Sequence, residues 1–156
     1  MTALGDFTAG DVLTAADMNA IGTWSTYTPS LTASITNPSL GTGFSASGHY
    51  AQIQDIVHVM VFIVFGSGAS AGNGDYRVSL PITPDTTNNA GSINGTIWLY
   101  DSSSAIGYGG IPSDANVAGY VTMYLEGTST ITVRHNNPFT WTASDQLRLF
   151  IRYKAA

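Results

Sequence analysis

The chain contains no cysteine, so disulfide bonds and thiolate metal sites are excluded. Its stability must therefore come from packing or from association with other chains. The longest apolar run, Val59–Phe65, is much shorter than the roughly 20 residues that a helix needs to cross a bilayer. The first residues also lack the basic start and apolar block of a signal peptide. We therefore expect no insertion into a membrane.

Charged side chains are scarce as well. They make up 10% of the 156 residues, with five basic residues, a single Glu (Glu126) and a formal net charge of −5. Binding to nucleic acid needs a basic stripe that neutralises phosphates, so the composition argues against a nucleic-acid partner. The chain is instead rich in Thr, Ser and Gly, which solvate a surface without charge. This balance favours an extended or assembled β-protein over a cytosolic enzyme.

From Trp24 onward, apolar and polar residues alternate with the period of two that is typical of β-strands. The strongest predicted strand is Val57–Phe65, which is apolar on both faces except for His58. We expect it to be a central strand covered on both sides, with a second subunit over its outer side. Later strands are predicted at Val117–Leu125, Thr130–Arg134 and Gln146–Tyr153. About eight strands in all predict an all-β fold, an antiparallel and jelly-roll-like β-sandwich spanning residues 24–156.

Residues 1–23 have a different pattern. Thr14 followed three residues later by Asp17 resembles a capping box, and it predicts about two helical turns that end at Gly22. Leu13, Met18 and Ile21 would form the apolar side of this helix, which is too short to be stable alone. The segment is therefore predicted to be an anchor. Its docking surface could be the body of the same chain, a sister subunit or a different partner.

No constellation of catalytic residues is visible in the sequence. His49 and His58 could meet on neighbouring strands, but no third metal ligand is evident. The aspartates lie mostly in turn contexts, where their side chains bond to nearby backbone N–H groups, and no carboxylate pair has the spacing of a glycosidase. We expect no catalytic residues, no bound cofactor and no metal site, so the chain is predicted not to be an enzyme.

Aromatic side chains are the remaining candidates for binding. Trp98, Tyr100 and Tyr108 lie in or beside a segment rich in glycine, residues 101–116, which is predicted to be an exposed loop. Such residues bind sugars by stacking, and they also build protein interfaces or cores. The three are candidate contacts for a receptor or glycan.

A series of turn-plus-strand motifs resembles a widespread module of tailed-bacteriophage virion proteins, described as minor tail proteins, tail fibres or head fibres. The motifs follow in order along nearly the whole chain: Phe7–Asn19, Trp24–Leu31, Gly41–Gly43, Gly48–Ile53, Val57–Val59, Phe65–Gly66, Gly72–Pro81 and Pro138–Trp141. The resemblance implies a β-sandwich that is usually homotrimeric and is displayed on the virion surface. It implies no catalytic residues.

Two functional interpretations follow from the resemblance. In the first, the chain is a trimeric appendage anchored through its N-terminal segment to phage capsid or tail proteins, as a capsid decoration, head fibre or minor tail protein with a role in host attachment. In the second, it is the receptor-binding or carbohydrate-binding tip of a tail fibre. The absence of a fibre shaft favours the first interpretation. A glycan depolymerase is a third, disfavoured interpretation, because it would need a carboxylate pair in a groove.

Overall fold

The computed structural model describes residue 12 and residues 14–87, 93–113, 119–127 and 131–156. In this part of the chain there is one short helix and nine β-strands. The elements, in chain order, are α1 (Ala15–Ala20), β1 (Ser25–Tyr27), β2 (Leu31–Ala33), β3 (Ser45–Ile53), β4 (Ile56–Val64), β5 (Tyr76–Ser79), β6 (Asn94–Asp101), β7 (Ile106–Ser113), β8 (Tyr120–Leu125) and β9 (Gln146–Lys154).

All nine strands form one antiparallel sheet in the order β1-β3-β4-β9-β6-β7-β8-β5-β2. The first two strands lie at opposite edges of this sheet, although only residues 28–30 separate them. The sheet must therefore curl until its two edges approach each other. A hydrogen bond joins the two ends there: the Tyr27 hydroxyl of β1 donates to the carbonyl oxygen of Ser79 at 3.3 Å, at the end of the strand that pairs with β2.

The concave side of the curled sheet encloses the core. Alternation along the strands places Val57, Val59, Val61 and Ile63 of β4 on this side, beside Leu147, Leu149, Ile151 and Tyr153 of β9. Trp141 fills the space in front of them, with its ring 4.6 Å from that of Phe139 and 5.1 Å from that of Phe65. Its indole N–H is satisfied by the carbonyl oxygen of Arg134 at 3.0 Å, so this large side chain is buried without an unpaired donor.

The all-β antiparallel class and the short N-terminal helix are confirmed. A sandwich of two separate sheets is not confirmed, because β9 pairs with both β4 and β6 and thereby joins the strands into one sheet. Val57–Phe65 is central, as predicted, and its position corresponds to β4. The predicted strand at Thr130–Arg134 is not a strand where the structure describes it: Thr132 and Arg134 make only isolated bridges, while Val133 is buried.

The prediction of an exposed loop over 101–116 is wrong for residues 101–113, and residues 114–116 lie outside the part of the chain that the structure describes. Residues Ser102–Ala105 form a tight turn, and β7 then crosses the middle of the sheet. Its glycines are required by close approach and not by flexibility. A Cβ at Gly107 would overlap the indole of Trp98 on the neighbouring strand. The glycine-rich composition suggested a loop, but these glycines accommodate side chains of the neighbouring strands, which allows the segment to form a strand.

Candidate interaction face

The convex side of the sheet is unusually apolar on its four neighbouring strands β3, β4, β9 and β6, and we call this surface the outer face. Its centre consists of Met60, Phe62, Trp98, Arg148 and Phe150, which we call the outer patch. Phe150 is 57% exposed and Trp98 is 47% exposed. The outward side of an antiparallel sheet is usually polar, so exposed aromatic residues on central strands mark a contact surface.

The register of the strands aligns the outer patch in two rows. In one row, Arg148 of β9 lies directly opposite Phe62 of β4 on one side and Trp98 of β6 on the other. In the next row, Phe150 lies opposite Met60 and Thr96. Neighbouring strands are about 4.8 Å apart, so these side chains form a continuous surface. A shallow depression between them is lined mainly by residues of the patch and by Ser47 and His49 of β3.

Arg148 is held flat against this surface. Its guanidinium carbon lies 4.7 Å from the centre of the Phe62 ring, and its Nη2 donates a 2.7 Å hydrogen bond to Oε1 of Gln146. Stacking on an aromatic ring and one neutral acceptor fix the guanidinium and leave donors free for an anionic group.

The three aromatic residues singled out in the sequence do not form one site. Trp98 and Tyr100 share the outer face of β6, with Trp98 extending over Gly107. Tyr108 lies on the opposite side of the sheet, where its ring is 5.5 Å from that of Phe139 and packs against the core. Tyr108 is half-buried there, opposite the buried Leu99, and its role as a receptor or glycan contact stays a prediction.

The other members of the outer patch were not predicted. The signal for Met60 and Phe62 was present, since the apolar pattern of 57–65 on both faces indicated a covered outer side. The alternation of apolar and polar residues in the last strand indicated that Arg148 and Phe150 point to the same side of the sheet. Their contacts depend on the pairing of β9 with β4 and β6, which the sequence does not specify.

The outer face is also basic in a chain whose net charge is negative. Three of the five basic residues, Arg148, Arg152 and Lys154, point outward from β9. The outward positions of β3, β4, β9 and β6 include no Asp or Glu. The carboxyl of Glu126 lies beyond these strands, over Gly109 of β7. Lys154 is paired with Asp85 at 2.8 Å. Among the described residues, Arg148 and Arg152 have no carboxyl partner.

The N-terminal anchor prediction concerns Leu13, Met18 and Ile21. Leu13 lies outside the described residues. Met18 is 53% exposed and Ile21 is 47% exposed, and the helix buries none of its side chains. The predicted capping box is present: Thr14 Oγ1 accepts a hydrogen bond from the N–H of Asp17 at 3.2 Å, and Asp17 accepts one from the N–H of Thr14 at 2.9 Å. The start of the helix is thus specified locally, while its apolar side faces solvent.

The buried and shifted titratable side chains make hydrogen bonds that stabilise turns or pack within the core. Asp145 is fully buried and accepts hydrogen bonds from the N–H groups of Ser102 and Thr142 at 2.9 and 2.6 Å. Asp101 accepts hydrogen bonds from the hydroxyls and N–H groups of Ser103 and Ser104, which lower its pKa. Burial raises the pKa of Tyr27, Tyr76 and Tyr153. None of these groups faces an open cleft.

His49 and His58 do lie on neighbouring strands, both on the outer face. The register places His49 opposite Met60 and His58 opposite Ala51, so the two are diagonal neighbours. No group of three or more His, Cys, Asp or Glu residues that could hold a metal occurs within the part of the chain that the structure describes. Within that part there is also no helix long and apolar enough to span a membrane.

Comparison with known proteins gives no further assignment: no family model, no curated protein and no solved structure matches the chain.

Proposed function

We propose that this chain is a non-enzymatic structural protein displayed on the surface of a tailed-phage virion, where it forms a homotrimer through the outer patch. One observation carries the proposal: Met60, Trp98 and Phe150 are exposed on the convex side of strands at the centre of the sheet. Covering this surface with a second copy would remove the apolar side chains from water. Complete burial of a large apolar side chain contributes about 1.5–3 kcal/mol, so covering the exposed half of each of these side chains contributes roughly half of that.

The placement on a virion rests on the sequence motifs and on the composition. The motifs from Trp24 to Pro81 resemble phage virion proteins, and a surface of Thr, Ser and Gly suits an assembled β-protein. The exposed Met18 and Ile21 support an N-terminal anchor, because a six-residue helix with no buried side chain needs a partner to be stable. Capsid decoration, head fibre and minor tail protein all fit this description.

The self-association is tested by the mass of the native protein in solution, measured by size-exclusion chromatography with light scattering. We expect a mass near three times the 16.4 kDa of one chain. A mass of one chain at micromolar concentration would contradict the proposal. Electron microscopy of labelled particles then distinguishes the capsid from the tail, and particles without label at either place would contradict the virion assignment.

Recognition of a host glycan is a second candidate, and the geometry of Trp98 favours it. Its indole lies over Gly107 of β7 and is half exposed, and Arg148 lies opposite Trp98 on the neighbouring strand. An exposed aromatic ring of this kind is suited to stacking on a sugar. Loss of attachment to host cells in Trp98→Ala, with assembly intact, would support it. Attachment at the wild-type level in Trp98→Ala would contradict it.

A further inference from the structure

We infer that the partner of the outer face is the N-terminal segment, residues 1–21, of a neighbouring copy of this chain. The inference rests on the proposed self-association and identifies the part of the second copy that makes the contact. It follows from the exposure of the outer patch and of α1 in one chain, and from the complementary charge and shared apolar content of the outer face and the N-terminal sequence.

The N-terminal segment is acidic. The first 24 residues contain Asp6, Asp11 and Asp17 and no Lys, Arg or His. The hydrogen bond from the Thr14 hydroxyl holds the pKa of Asp17 below its ordinary value, so this carboxyl is ionised at neutral pH. The outer face presents the opposite charge through Arg148 and Arg152, which have no carboxyl partner among the described residues. Complementary charges select the partner and its orientation.

The two surfaces also share apolar content. Met18 and Ile21 lie on the exposed side of α1, and the segment also contains Leu4, Phe7, Val12 and Leu13. The outer patch offers Met60, Trp98 and Phe150 beside the two guanidinium groups. A docked segment would place apolar side chains on the aromatic rows and carboxylates on the arginines.

The structure favours a neighbouring copy over the chain's own outer face. In the single chain, α1 buries no side chain, and Met60, Trp98 and Phe150 remain exposed. Gly22, which follows the helix, lies against Ile53 at the end of β3, so the chain enters the sheet beside one edge of the outer face. A chain of 14 residues, the number that precedes α1, spans up to about 45 Å when extended, whereas four neighbouring strands extend over only about 15 Å.

The absence of native cysteine allows a direct test by disulfide cross-linking. Met18→Cys is prepared in one chain, and Thr96→Cys or His58→Cys, both on the outer face, is prepared in another. The chains are mixed, allowed to exchange subunits and oxidised. We expect a cross-linked dimer between unlike chains at a yield at least fivefold above that of a matched mixture carrying Ile35→Cys, a residue exposed in the loop after β2.

Charge reversal provides a second, independent readout on the full chain. Arg148→Glu together with Arg152→Glu should weaken self-association at least tenfold, and Asp6→Lys together with Asp11→Lys in the other copy should restore most of it. Mixing the two double variants should therefore give oligomers that neither forms alone. Absence of this rescue would contradict the inference.

The outcomes separate the inference from the proposed function. Oligomers that form normally, with no cross-link from position 18 to either face position and no effect of charge reversal, would overturn the inference alone. A chain that carries Met18→Cys and Thr96→Cys together and cross-links only within itself would also overturn it, by placing the segment on its own face. A protein that remains monomeric would overturn both the inference and the proposed self-association.

Discussion

The guanidinium of Arg148 lies 4.7 Å from the centre of the Phe62 ring, on the outward side of two strands at the centre of the sheet. The contact is built by the register of β4 and β9, which places the two residues directly opposite each other. Because Trp98 of β6 lies opposite Arg148 on its other side, a cation between two aromatic residues forms the centre of the exposed surface.

Gly107→Ala should displace the indole of Trp98, because a Cβ at position 107 would overlap the ring. The chain should remain folded, since the indole is half exposed and can move outward. We expect a clear shift of the Trp98 indole N–H resonance and a weaker self-association. Gly109→Ala is the matched control on the same face of β7, where the added Cβ meets the Glu126 carboxyl instead. An unchanged Trp98 resonance in Gly107→Ala would contradict the packing described here.

Asp145→Ala should lower the free energy of unfolding by about 3 kcal/mol, because it leaves buried N–H groups without acceptors. Asp145 accepts hydrogen bonds from Ser102 and Thr142 and so links the β6–β7 turn to the start of β9. Urea unfolding followed by tryptophan fluorescence measures the change. Asp145→Asn should cost less, since it keeps one acceptor oxygen. Equal stability of the alanine variant and the wild type would show that these bonds contribute nothing.

The sequence allows the strands to be predicted, but it does not determine their pairing. Alternation in 57–65 and 146–153 identifies which residues face outward on each strand, because side chains alternate with a period of two. That Arg148 meets Phe62 and Trp98 depends on β9 lying between β4 and β6, although these strands are far apart in sequence. The glycine-rich β7 was missed because its glycines accommodate neighbouring side chains, a reason that only the folded sheet reveals.

The capping box of α1 was predictable because it depends on local spacing alone. Thr14→Ala removes the acceptor for the N–H of Asp17 and should destabilise the helix by about 1 kcal/mol. If the helix docks on another copy, that loss should weaken association about fivefold. The melting temperature of the sheet should stay unchanged, because the helix buries no side chain against it. Calorimetry and sedimentation measure the two effects, and an unchanged association constant would contradict docking of the helix.

Acid should break the ion pair between Lys154 of β9 and Asp85 in the loop after β5. The Lys154 ammonium, at 2.8 Å from Asp85, and the N–H of Thr87 lower the pKa of Asp85 from 3.8 to about 2. Because the pKa of Asp85 is lower in the folded chain than in the unfolded chain, the ion pair stabilises the fold at pH values above 3.8. This stabilisation is lost as the pH falls from 3.8 to about 2. Asp85→Asn should therefore show a shallower loss of stability between these pH values. Acid titrations followed by circular dichroism compare the variant with wild type, and identical acid transitions would contradict the assignment.

The central claim is that the outer patch is the surface through which copies associate, and sedimentation equilibrium of two matched variants tests it most directly. Phe150 is 57% exposed in the patch, and Phe44, 49% exposed, lies just before β3 and outside the patch. We expect Phe150→Ser to weaken self-association at least fivefold, since covering the exposed half of a Phe side chain contributes roughly 1 kcal/mol or more, while Phe44→Ser stays within about twofold of wild type. Equal association constants for Phe150→Ser and wild type would contradict the account.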